Sequence, residues 1–153
     1  MERINWNRVL LGGLLAGLII NASEFVLNGV VLQKDWADAM KALNRSGAMT
    51  GTQIAGFNLW GFGAGIIAVW LYAAIRPRYG AGPKTAAIAG LGVWLTAYVL
   101  ANAGAIILDL FPARMIYLGL AVGVVEVVLG TIAGAWVYRE DSAPVGRTAA
   151  AGR

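Results

Sequence analysis

Apolar runs at 9–32, 52–75, 85–110 and 114–138 dominate the chain, and each is broken at helical spacing by small or polar residues. A helix needs about 20 apolar residues to cross the hydrocarbon core of a bilayer, so each run is long enough to span. In the last run Gly119, Gly123, Glu126, Gly130 and Gly134 fall within about 80° of one another on a helix. In the first, Gly13, Gly17, Asn21, Glu24 and Asn28 do the same, while Leu15, Ile19, Val26 and Val30 lie on faces that meet lipid. A glycine stripe lets a neighbouring helix approach closely, which is a main source of packing energy in lipid. An acid within such a stripe faces protein, because a charge exposed to lipid costs at least about 2.5–3.5 kcal/mol. The second span carries Asn58, Gly61, Gly65 and Tyr72 on one face, and the third places Asn102 and Asp109 seven residues apart on one face.

The connections follow from breaker residues. Gln33 to Gly51 is polar, and within it Trp36, Met40 and Leu43 share one helical face. This predicts a short amphipathic helix that lies on the membrane surface with Trp36 at headgroup depth or caps the bundle. Asn44-Arg45-Ser46-Gly47 supplies turn chemistry after it. Arg76-Pro77-Arg78 is expected to stop the second span, and Pro83 suits the first helical position of the third. Pro112 separates the third span from the fourth. The short loop between spans two and three makes them antiparallel neighbours. The fold class expected is therefore all-α: a polytopic membrane protein of four transmembrane helices in an antiparallel bundle, with a short amphipathic helix between the first two. Residues 139–153 form a polar tail with too little apolar surface to fold alone.

Composition agrees with the pattern. Hydrophobic residues make up 59% of the chain and charged residues 13%, with 21 glycines among 153 residues. The absence of Cys and His removes disulfides, thiolate nucleophiles, the commonest general base and the usual axial ligand for haem. The net charge of +4 is read as loop charge that orients the spans, not as a nucleic-acid footprint. Arg3, Arg8, Arg76, Arg78, Lys84, Arg139, Arg147 and Arg153 lie on one side, and Lys34, Lys41, Arg45 and Arg114 on the other. That bias places both termini in the cytoplasm of a cell whose plasma (inner) membrane holds the protein. Trp6, Trp70, Trp136 and Tyr138 then belt the inner face, and Trp36 and Tyr117 mark the outer one. The basic start is not read as a signal peptide, since the first apolar run exceeds an h-region and no cleavage site follows it.

Depth, counted at about 1.5 Å per residue, brings the polar residues into one layer. Asn21 and Glu126 fall near the midplane, with Glu24, Asn58, Asn102 and Asn28 displaced toward the outer side. No basic residue shares that depth. Carboxyls there neutralise by holding a proton, with the asparagines as partners, or coordinate a cation through oxygen. The plainer reading makes the same asparagines and acids structural glue between helices. The helix-packing positions are Gly13, Gly17, Gly61, Gly65, Gly119, Gly123, Gly130 and Gly134. Trp60 and Trp94 fill the bundle or face lipid.

Trp36 to Leu43 after the first span, Gly90 to Trp94 in the third, and Gly130-Thr131-Ile132-Ala133-Gly134-Ala135-Trp136 in the last resemble the small four-span bacterial membrane proteins of a family of unknown function. That resemblance implies a fold and no activity. An acid in the first span of a short four-helix chain also looks like the small multidrug resistance exporters, from which the long first loop and the one-sided charge set it apart.

Three function classes follow. The reading adopted is a non-enzymatic accessory or scaffold subunit that packs through its glycine faces, as a homo-oligomer or within a larger membrane complex. The alternative is a small proton- or cation-coupled transporter or channel using Glu24 and Glu126. An intramembrane enzyme ranks last, because the usual nucleophile and base pairs are missing. The partner expected is the lipid bilayer, with no nucleic acid, no metal and no cofactor.

Overall fold

The structure is a computed structural model that describes residues 4–45 and 48–138. The tail and the Ser46-Gly47 pair of the first loop lie outside the described residues. Among the described residues there are six α-helices and two π-helical turns, and four of the resulting rods are long and apolar enough to cross a membrane. Helix α1 (Trp6–Val26) runs into a π turn at Leu27–Val31, and α2 (Gln33–Ala42) follows. Next come α3 (Gly51–Tyr79) and α4 (Pro83–Trp94). A second π turn at Leu95–Leu100 joins α4 to α5 (Ala101–Ile107), and α6 (Ala113–Val137) completes the fold.

Local chemistry sets these ends. The Asn5 side chain accepts from the Arg8 N–H at the start of α1. Thr50 and Gln53 close a reciprocal capping box at the start of α3. Gly82 takes φ 131°, open only to glycine, so that Pro83 can begin α4. One boundary departs from expectation. Helix α3 continues through Pro77 to Tyr79. Proline in the last turn forfeits only one hydrogen bond, and Arg76 and Arg78 there face the partial negative charge of the helix end.

The four rods form an antiparallel ring in which α1 packs on α3 and α6, and α4 packs on α3 and α6. Helix α1 is driven into the groove between its neighbours by backbone contact. A Cβ on Gly13 would lie 2.5 Å from Ile66 Cα, one on Gly17 2.7 Å from Phe62 Cα, and one on Gly134 2.6 Å from the Gly12 carbonyl oxygen. Gly65 meets Gly13 and Gly17 in the same way. The core there is built of small side chains, among them Ala16, Ala73, Ala86, Ala89 and Val69. Thr131, fully buried in it, returns its hydroxyl to the Val127 carbonyl at 2.6 Å.

The Asn5 end of the bundle is closed by tyrosines. The Tyr72 and Tyr138 rings meet edge to face at 5.9 Å, with the Arg76 guanidinium 5.7 Å over Tyr138. Tyr138 is buried by these contacts, which corrects its expected place in an exposed aromatic belt; Trp6, Trp70 and Trp136 are exposed. At the opposite end α2 lies against the bundle. Trp36 packs edge to face on Phe111 at 5.8 Å and on a cluster of Leu27, Leu32 and Met115, while Asp35 pairs with Arg114. Helix α2 thus caps the end.

Candidate functional site

Glu126 sits midway along α6 and is only 3% exposed. Its Oε1 accepts a hydrogen bond from the Tyr98 hydroxyl at 2.7 Å, while Oε2 is buried with no donor. Tyr98 reaches it from the second π turn because Gly123, one turn before Glu126, leaves room for the ring. A Cβ at Gly123 would lie 2.5 Å from Tyr98 Cδ1. The Trp60 ring packs on Tyr98 at 5.6 Å.

Glu24 comes from the last turn of α1, and its carboxyl faces both Glu126 and Tyr98. Four residues on, Asn28 lies in the first π turn. Its Nδ2 donates to Glu24 Oε2 in a short contact and to the Glu24 carbonyl at 3.2 Å. Its Oδ1 accepts from the Trp36 indole N–H of α2 at 2.8 Å. A polar chain therefore runs Trp36–Asn28–Glu24–Glu126–Tyr98 across five elements of the fold.

Both π turns contribute to this chain. A π turn adds a residue per turn and re-aims the side chains around it, and such turns recur at functional sites. The first is marked by the Leu32 N–H bonding to the Leu27 carbonyl at 2.8 Å. The second has its Tyr98 carbonyl bound by Asn102 Nδ2 at 2.8 Å.

Not every candidate residue enters the cluster. Asn102 serves the backbone of the π turn and half-faces outward. Asn21 donates to the Asn58 carbonyl at 3.2 Å, joining α1 to α3, and is cradled by Gly61. Asn58 itself is exposed and donates to the Ile54 carbonyl one turn back. The cause is that residues 51–60 of α3 are all exposed, and Trp60 is the one among them whose ring reaches Tyr98. The glycines Gly13, Gly17, Gly61, Gly65, Gly123, Gly130 and Gly134 have close neighbours, but the space around Gly119 is open. Two close approaches lie outside the expected set: Gly12 against Gly134 and Val69, and Gly90 against Val128 and Thr131.

The arrangement has a definite hydrogen-bond arithmetic. An indole N–H only donates, so Asn28 must present its oxygen to Trp36 and its NH₂ to Glu24. Glu24 Oε2 and Glu126 Oε1 are thus accepting. A proton held between the two carboxyls would supply the donor that Glu126 Oε2 lacks. Among the described residues no group of three or more acidic, Cys or His side chains gathers as a metal site. A comparison with family profiles, curated proteins and solved structures finds no match to the chain.

Proposed function

We propose that this chain is a proton-linked membrane carrier in which Glu24 and Glu126 form the proton-binding unit. Burial of Glu126 Oε2 without a donor, beside a second carboxyl and no basic side chain, carries the reading. Two carboxylates so placed in low dielectric repel and are poorly solvated; a proton between them removes both costs. Intramembrane acids that face a protein interior mark proton and ion pathways more often than simple packing.

The geometry favours this over a scaffold that docks through glycine faces. Gly12, Gly13, Gly17, Gly65, Gly130 and Gly134 are consumed by contacts within the chain. We infer that the acids are reached from the α2 end, past Asn28, because the Asn5 end is closed by backbone contact and by Tyr72 and Tyr138. We place the α2 end outside the cell and the Asn5 end in the cytoplasm, from the distribution of Lys and Arg.

Purified protein in liposomes with a trapped pH-sensitive dye tests the reading. Wild type is expected to dissipate an imposed pH gradient, and Glu24→Gln or Glu126→Gln to abolish that signal. Equal flux in all three, or none in any with all three folded, would contradict it.

A further inference from the structure

We propose that α2 is a proton-sensitive latch on this site, held closed by Trp36 and Asn28 while the acid pair carries one proton and released when it takes a second. The inference deepens the carrier reading and rests on its assignment of Glu24 and Glu126 as the proton-binding unit.

Donor and acceptor counting leads to it. The pair offers four oxygens. Asn28 Nδ2 fills Glu24 Oε2, the Tyr98 hydroxyl fills Glu126 Oε1, and Glu126 Oε2 is left without a donor, which a single proton shared with Glu24 would supply. The network is then complete, with every donor matched. A second proton arriving from the α2 end meets Glu24 first, because Glu24 is half-buried and Glu126 is covered. The free oxygen on that side is Oε2, and a proton placed there meets the donor that Asn28 already points at it. Two donors facing one another cost more than an unmade bond, so the Asn28 carboxamide must turn its oxygen toward Glu24. The indole of Trp36, which can only donate, then faces an NH₂ and loses its acceptor.

The surroundings make α2 the element that moves. It has no buried residue, and it is held by Trp36, by the Asp35–Arg114 pair at its rim and by apolar contact of Trp36 with Phe111. Beside it lies a cavity of about 330 Å³ lined by Asp35, Asp38, Ala39, Leu43, Leu110 and Phe111, among others. The titratable groups facing Glu24 are Glu126 of α6 and Tyr98 of the second π turn. Charged side chains of α2 and α6 (Asp35, Asp38, Lys34, Arg114) pair with one another at the rim.

The chain contains no cysteine, so spin labels can be placed at Ala39→Cys and Leu110→Cys, across the cavity. Their separation is read by double electron–electron resonance in nanodiscs at pH 8 and pH 5. Wild type is expected to give one short distance at pH 8 and an added longer population at pH 5. Glu24→Gln reproduces the one-proton state, because its carbonyl accepts from Asn28 and its NH₂ donates to Glu126; it is expected to stay short at both. Trp36→Phe is expected to show the longer population already at pH 8. An unchanged wild-type distance, or opening of Glu24→Gln on acidification as in wild type, overturns the latch; Glu24→Gln keeps every rim charge, so rim titration would persist in it. Dye flux lost in Glu24→Gln with α2 immobile would leave the carrier standing without its latch. Opening of α2 without flux would leave the latch and remove the carrier.

Discussion

The two halves of the bundle hold their helices together by opposite means. Near Gly12, Gly13, Gly65 and Gly134 backbone touches backbone. Near Glu24, Glu126 and Tyr98 the helices are joined through side chains, and two of the three rods that deliver them, those of Glu24 and Tyr98, leave α-geometry for a π turn. The first half has no room to change: a close-packed contact either fits or clashes. The second has hydrogen bonds that rearrange with one proton and an outer helix, α2, with nothing buried. Stability resides in one half and responsiveness in the other.

Substitutions at the glycines break the comparison most severely. Gly65→Val or Gly134→Val drives a branched side chain into backbone and is expected to cost about 3 kcal/mol or more, read as loss of the cooperative thermal transition in detergent. Gly104→Ala and Gly119→Ala, where the space is open, are expected instead to stabilise by up to about 1 kcal/mol through helix propensity. Equal effects in the two groups would erase the distinction between the halves.

Tyr98→Phe comes next. It strips Glu126 Oε1 of its donor in a buried site and is expected to cost about 1–2 kcal/mol, read by the same thermal unfolding. Asn21→Ala, which loses a single bond to the Asn58 carbonyl, is expected to cost about 0.6 kcal/mol, and Asn58→Ala less than that by the same unfolding assay.

The smallest effect belongs to the exposed Lys34–Asp38 pair of α2, with an N–O separation of 2.5 Å. Its Lys34 partner holds Asp38 below its ordinary value of 3.8, and Asp38 holds Lys34 above 10.5. The lowered Asp38 contributes above its unfolded value and loses that contribution as pH falls through its folded one. The raised Lys34 contributes below its unfolded value and loses it as pH rises through its folded one. Any gain is therefore present across the neutral range and screened by salt. Lys34→Met is expected to leave the melting temperature unchanged at neutral pH.

Hydropathy and glycine spacing were enough to read four helices, their antiparallel order and the polar first loop, because lipid imposes helix on any long apolar run. The pairing of Glu24 with Asn28 is visible as a four-residue step, and the depth shared by Glu24 and Glu126 follows from counting residues. Tyr98 was missed because it sits in an apolar run and reads as bulk; its hydroxyl, which needs a partner when buried, was the available signal. Spacing puts Trp36 at headgroup depth or in a cap on the bundle, and its indole N–H holds no clue to Asn28. The π turns leave no mark in composition. Asn58 shows that depth does not fix azimuth: it lies at the right level on an exposed stretch of α3. Gly119 fails for a related reason, since beyond Tyr98 the third rod packs sparsely and Ala101, Gly104 and Ile107 are exposed.

Infrared difference spectroscopy of the protein in membranes at pH 7 tests the shared proton most directly. The account predicts a carbonyl band from one protonated carboxylic acid in wild type, absent in both Glu24→Gln and Glu126→Gln, because either amide supplies the donor and leaves the other acid ionised. A wild-type spectrum without that band, or a band that survives in both variants, would contradict it.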